Sequence, residues 1–282
     1  TGSFADNLRT VAVGEFAVSN GIDAISIGSL SGAFDVAGIA IGSRATSRGE
    51  GSIALGGDSN DSDPSGATAS SSGAIAIGQD SMSAADEAVA IGSASNAASD
   101  SAIAIGADAG ATDFGSIALG SFADASGSTS LAFGVDTVAS GFAAIAIGSD
   151  AAGTAQGAVA LGNSASASGS DAVAVGSESL ASGRQAIASG SGAQATGARS
   201  IAIGVNGLDP DDLGAVASGS RAIAIGTDTS ATALNSTAIG NSASATGDRA
   251  AAFGQNARAF GEEAVAFGAA AGGTGDRSVA IG

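Results

Sequence analysis

The sequence predicts an all-β solenoid of stacked two-strand coils, and three observations predict it. A short apolar alternation closed by glycine, as in Ala144-Ile145-Ala146-Ile147-Gly148, recurs along all 282 residues. The closing glycines run Gly14, Gly28, Gly42, Gly56, Gly78, Gly92 and onward to Gly282; of the 18 intervals between them, 16 are 14 residues and two are 22. A fixed period of this length marks a repeat architecture. Within each copy the side chains alternate with period two, which is the strand signature. Finally, hydrophobic residues make up 44% of the chain and its 46 glycines follow no three-residue period, so the chain packs rather than staying disordered or forming collagen.

Aligning the copies on their closing glycine gives the elements of one coil in order. Three and one residues before the glycine stand large apolar residues, such as Ile39 and Ile41, Val89 and Ile91, or Ile201 and Ile203. Two before it stands alanine in every copy except at Ser26, and four before it a small residue such as Ser52 or Ala102. These residues form a first strand with a large side and a small side. After the glycine comes a second alternation, clearest in Asn163-Ser164-Ala165-Ser166-Ala167-Ser168-Gly169, with small residues third and fifth and variable ones fourth and sixth. It reads as an outer strand, variable side to water.

Sizes suggest that the large residues of the first strand meet the small ones of the outer strand inside the coil, large against small filling a thin space. The nearly fixed alanine column is then left facing outward, where another backbone would explain its constancy. On that reading Ala40, Ala54, Ala76, Ala90, Ala104, Ala118, Ala146, Ala160, Ala174, Ala202, Ala224 and Ala238 line a subunit interface; the opposite assignment, with the large residues at the interface and the alanines inside the roll, stays open. Ala146→Glu is expected to split the oligomer and Ser166→Glu to be nearly silent. A lone coil loses more backbone entropy than its few apolar side chains return, so coils stand only when stacked. At the strand spacing, 19 of them would make a rod on the order of 90 Å long.

The second glycine of many coils (Gly49, Gly127, Gly141, Gly169, Gly183, Gly247, Gly261) suggests a turn needing positive φ. Five residues before the closing glycine, Arg249, Glu263 and Arg277 alternate in sign on successive coils, and Asp171 lies two coils below Arg199, so neighbouring rungs are expected to pair. The residues Phe253, Phe260 and Phe267 read as core filling, with Phe260 the outward exception.

Each of the two longer intervals adds eight residues, placed by phasing at 57–64 and 205–212. Both insertions are acidic, contain Asp-Pro and leave the coil at the same corner, so they project from one edge. Candidate ligand-facing residues are Asp58, Asn60, Asp61 and Asp63 in the first, with Asn206, Leu208, Asp209, Asp211 and Asp212 in the second. A calcium role for Asp58, Asp61 and Asp63 does not fit EF-hand spacing, and acidic turns are usually just solvated. No cofactor or metal is expected.

Composition narrows function. The chain has no histidine, lysine or cysteine, so imidazole acid/base chemistry, cysteine or lysine nucleophiles and His/Cys zinc sites lack their residues. No base is present to activate a serine, and a thin roll offers no pocket, so an enzyme is not expected. A net charge of −18 disfavours nucleic acid and anionic membrane surfaces. There is no 18-residue apolar run and no signal peptide, and the chain begins and ends in mid-pattern; it reads as a segment of a longer protein, not itself membrane-embedded.

The repeats Asn235-Ser236-Thr237-Ala238-Ile239-Gly240, Arg199-Ser200-Ile201-Ala202-Ile203-Gly204 and Gly115-Ser116-Ile117-Ala118-Leu119-Gly120 resemble the Asn-Ser-Val-Ala-Ile-Gly head repeat of the trimeric autotransporter adhesins, the YadA-like proteins of Gram-negative bacteria. The resemblance covers nearly the whole chain, residues 1–282 being read as one head of about 19 coils, with the same 14-residue spacing. It implies a left-handed parallel β-roll, three copies of which associate into a homotrimeric head at the bacterial cell surface, anchored in the outer membrane through parts absent from this segment: the neck, the heptad stalk and the C-terminal anchor. The function implied is attachment to host extracellular matrix (collagen, fibronectin, laminin) or to cells, and autoaggregation, through the avidity of repeated surfaces. The alternative is a spacer rod that extends binding parts carried elsewhere. An ice-binding solenoid would need a regular outward array of Thr, whereas the outward column here mixes Val18, Met82, Asp124, Leu180 and Arg258. An RTX calcium roll fails on its nine-residue period.

Overall fold

The computed structural model describes residues 2–59, 64–207 and 213–282, which fall into two compact units, Thr1–Ser140 and Gly141–Gly282. Among the described residues there is no helix, and each unit is a parallel β-solenoid. In the first unit, three-residue strands from Val11–Val13 to Leu131–Phe133 form one ladder, and two-residue strands from Phe4–Ala5 to Val138–Ala139 form the other. The second unit repeats the plan, with three-residue strands from Ile145–Ile147 to Val279–Ile281 and two-residue strands from Ala152–Gly153 to Gly272–Gly273.

Pairing is in register from coil to coil. The strand Ile39–Ile41 lies beside Ile53–Leu55 with Ile39 opposite Ile53, Ala40 opposite Ala54 and Ile41 opposite Leu55. Register also survives both long intervals, since Thr46 pairs with Thr68 and Ile201 with Ile223. Like therefore stacks on like, which is how one short alternation becomes continuous columns.

The two corners of each coil are four-residue turns with the third residue left-handed, as type II geometry demands. At one corner Ala45 N donates to Gly42 O (3.3 Å) around Arg44 at φ 59; at the other Ser52 N donates to Gly49 O (3.1 Å) around Gly51 at φ 63. Most left-handed sites carry ordinary side chains, among them Asp80, Glu87, Ala94 and Ala143. The second glycines occupy neither site. Gly141, Gly169 and Gly183 lack positive φ; instead, a Cβ on each would strike the carbonyl stacked against it, that of Ala155, Gly183 and Gly197 respectively. Close backbone approach, not a turn, explains them.

Of the two face assignments, the one that put alanine outward is overturned. Every alanine expected at a subunit interface lies inside the coil with no accessible surface in the single chain: Ala40, Ala54, Ala76, Ala90, Ala104, Ala118, Ala146, Ala160, Ala174, Ala202, Ala224 and Ala238 are all 0% exposed. A side chain already covered by its own outer strand has nothing left for a sister chain to cover. They pack against the inward columns of that outer strand, themselves alanine and serine such as Ala45 and Ser47, so each core is built of methyl and hydroxymethyl groups. Two ladders joined by four-residue turns are too close for anything larger, and among the described residues the bulkiest fully buried side chains are Thr137 and Thr229.

Buried hydroxyls mostly find backbone acceptors, as burial requires. Ser83 Oγ donates to Ala88 O (2.8 Å) and Ser81 Oγ to Gly78 O (3.0 Å). Ser26, the exception in the alanine column, is fully buried and shares a 2.7 Å bond with Ser31 Oγ.

Candidate functional site

With alanine inside, the large column residues must face out. On the three-residue strands they form two adjacent stripes of Ile, Val, Leu and Phe, half-covered by their neighbours in the ladder. Ile41 remains 38% exposed, Ile203 41%, Phe133 53% and Phe267 59%. Ser189, Thr237 and Ala251 lie on this outer face too, which is why hydroxyls are accepted in a large-apolar column. Phe253 and Phe267 also stand there, ring centroids 6.3 Å apart, rather than filling a core, while Phe260 is outward as expected. Two large apolar residues per coil, repeated along each unit, make a face well beyond the few hundred Å² that isolated soluble chains usually leave bare.

The corners carry the charge. Arg249 pairs with Glu262 and with Glu263 (3.3 Å), and Arg277 reaches Glu263 at 3.2 Å, so the expected ladder forms. Arg9 and Asp23 do the same one rung apart. Arg199 instead donates to Gln185 Oε1 (3.2 Å) in the intervening coil rather than reaching Asp171. All are solvated side chains that contribute little each.

The insertions begin later than phasing placed them. Asp58 N still donates to Ser43 O and Asn206 N to Ser191 O, both 3.1 Å, so the coil continues through those residues. It is back in step at Ala67 and Ala215, next to Thr68 opposite Thr46 and Val216 opposite Gln194. The extra eight residues thus span 59–66 and 207–214. One anchor serves both loops: Asp80 Oδ1 accepts from Ser59 N (3.3 Å), and Asp228, at the same place in its own coil, from Gly207 N (2.6 Å).

Of the candidate ligand-facing residues, Asp58 is a structural group. Its side chain is 3% exposed and paired with Arg44 one coil below. Asn206 holds the stem of the second loop, while Asn60, Asp61, Asp63, Leu208, Asp209, Asp211 and Asp212 lie outside the described residues. Among the described residues no group of three or more carboxylates gathers closely enough to hold a metal ion. Sequence reasoning missed a hollow of about 420 Å³ beside the first loop, lined by Ser65, Gly66, Thr68, Asp80, Ser81, Met82, Ala94, Ser95 and Asn96. Its only advance sign is Met82, an exposed apolar side chain between polar outward neighbours.

The family model described as the YadA head domain repeat matches residues 5–31, 36–59, 83–109, 97–123, 111–137, 125–151, 154–179, 181–206, 217–244 and 245–271. No curated protein matches the chain. Among the described residues no helix is long and apolar enough to cross a membrane.

Proposed function

Because the chain belongs to the family of YadA head domain repeats, an adhesin-type head, we propose that it works as a homotrimer whose copies pack through the outward Ile/Val/Leu/Phe stripes and that attaches bacteria to host extracellular matrix or cells. The observation that carries this reading is the bare apolar face. Three copies turned face-inward would bury all of it in one closed ring, whereas water on it would cost each chain the burial free energy of the still-exposed part of about two large side chains per coil. What then remains outside is the two-residue strands with their varied outward column, the acidic corners and the two anchored loops.

Binding on this reading needs no deep pocket. A modest surface repeated on every coil and multiplied by three chains gains strength by avidity. Collagen, fibronectin, laminin and cell surfaces are the proposed targets, with autoaggregation arising when heads meet heads. Outer-membrane anchorage belongs to the same proposal, through parts of the protein outside this segment.

The test has two arms. Native mass at falling concentration is expected to give a trimer; a monomer would end the proposal. Attachment of the purified trimer to collagen-, fibronectin- and laminin-coated surfaces and to cells comes next. Deleting residues 59–66 and 207–214 with folding intact should reduce attachment if the loops recognise the target. Absence of attachment by the trimer, with attachment by a longer form of the protein, would reduce this segment to a spacer.

A further inference from the structure

Two columns flank the apolar face, one at each corner of the coil: the residue six before the closing glycine and the residue two after it. In the first unit four of the nine coils are polar on both sides: Glu50 and Asp58, Ser72 and Asp80, Asp100 and Asp108, and Ser128 and Asp136. Three coils carry large apolar residues at both corners. Leu8 and Phe16 flank one coil, Ile22 and Leu30 the next, and Phe114 and Phe122 a third, all six exposed at between 37% and 63%. No large apolar residue stands at the second corner in this unit without one at the first; Val36, opposite Arg44, is the one-sided case the other way.

Within one copy the two corners cannot touch, since the residues between Phe114 and Phe122 include a three-residue strand and span roughly 20 Å. A ring of parallel copies brings them together: where one chain's face ends, its neighbour's begins, so the second corner of one copy abuts the first corner of the next at the same height. We propose that Leu8 with Phe16, Ile22 with Leu30, and Phe114 with Phe122 are contacts between neighbouring copies of this chain, two apolar tiers separated by hydrated ones that fix the copies parallel and in register. This rests on the trimer reading above and adds what that reading lacks: a uniform Ile stripe would tolerate a slip by one coil, whereas tiers at fixed coils do not. An apolar ligand bound at one corner would leave the matching of corners unexplained.

The chain has no cysteine, so introduced thiols report cleanly. The double variants Phe114→Cys/Phe122→Cys and Leu8→Cys/Phe16→Cys, and their four single variants, are treated with a short bis-maleimide and run on a denaturing gel beside native mass measurements. Each double variant is expected to give a covalent trimer and each single variant monomers, because only unlike corners meet. Native trimers whose double variants stay monomeric on the gel would overturn the corner pairing and leave the trimer standing. Cross-linked single variants would overturn it as well, by showing that like corners meet. A native monomer would fail the trimer reading itself, and the pairing with it.

Discussion

Replacing Ile203 and Ile239 by serine in one chain separates assembly from folding. In the isolated copy these side chains keep 41% and 36% of their surface exposed, so the fold draws only part of their burial free energy from the ladder. Full burial of an isoleucine is worth about 1.5–3 kcal/mol, and the remaining exposure corresponds to about 0.5–1 kcal/mol each. Two sites in three chains give roughly 3–6 kcal/mol, a loss of about 10² to 10⁴ in the trimer association constant. The control is Ala202→Leu, one residue away but inside the coil, between Ala188 and Ala224 in the ladder. It overpacks a methyl-sized space at about 1–3 kcal/mol or more. Native mass spectrometry across a dilution series, with circular dichroism on the same samples, should show the serine variant as a folded species that dissociates and the leucine variant losing β structure at every concentration. A serine variant that stays trimeric on dilution, together with a leucine variant that dissociates while folded, would refute the assignment of faces.

Other substitutions probe the coil itself. Ala143 sits left-handed at φ 53, so Ala143→Gly should raise stability by about 0.5–1 kcal/mol, read as a higher melting temperature. Gly148→Ala should do the reverse by several kcal/mol, about 1–3 from φ +129 alone and the rest from a Cβ against the Gly162 carbonyl oxygen. The hydroxyl of Ser200 is buried without a hydrogen-bond partner, whereas that of Ser83 is bonded; Ser200→Ala should be neutral or stabilising by about 1 kcal/mol and Ser83→Ala should not stabilise, as urea midpoints would show. Asp228→Ala removes the acceptor of Gly207 N and should speed proteolysis within 207–214 while leaving the melting temperature nearly unchanged.

The period, the parallel stacking and the cross-rung ion pairs were legible because each is a statement about sequence spacing, and in-register stacking turns spacing into contact. Arg249, Glu263 and Arg277 needed only the number 14. The direction in which a side chain points was not legible from size alone. Alternation assigns Ile145 and Ile147 to one face and Ala146 to the other but does not say which is inside, and large-against-small packing looked as sound as small-against-small. The deciding signal was in the outer strand: its inward residues, such as Ala151 and Gly153, are as small as Ala146, and two small sides close a thin space that one large side would hold open. The constancy of the alanine column then reflects steric exclusion within one copy, and the constancy of the isoleucine columns, partly exposed in the single chain, is what calls for other copies.

The loop residues teach the same lesson at one position. Asp58 looked free because the insertion was phased to start immediately after Gly56, which set its carboxylate among solvated acids. Counted instead as the second residue of an ordinary coil, it stands one period after Arg44, directly above it in the ladder, and the pair was available from the spacing that revealed the charge ladder near the C-terminus. The stem of that loop is therefore part of the solenoid, held by Arg44 below and, through Ser59 N, by Asp80 above. Whatever recognises the first loop must then do so beyond Asp58, and an Asp58→Ala variant that lost attachment while keeping its melting temperature would contradict that placement.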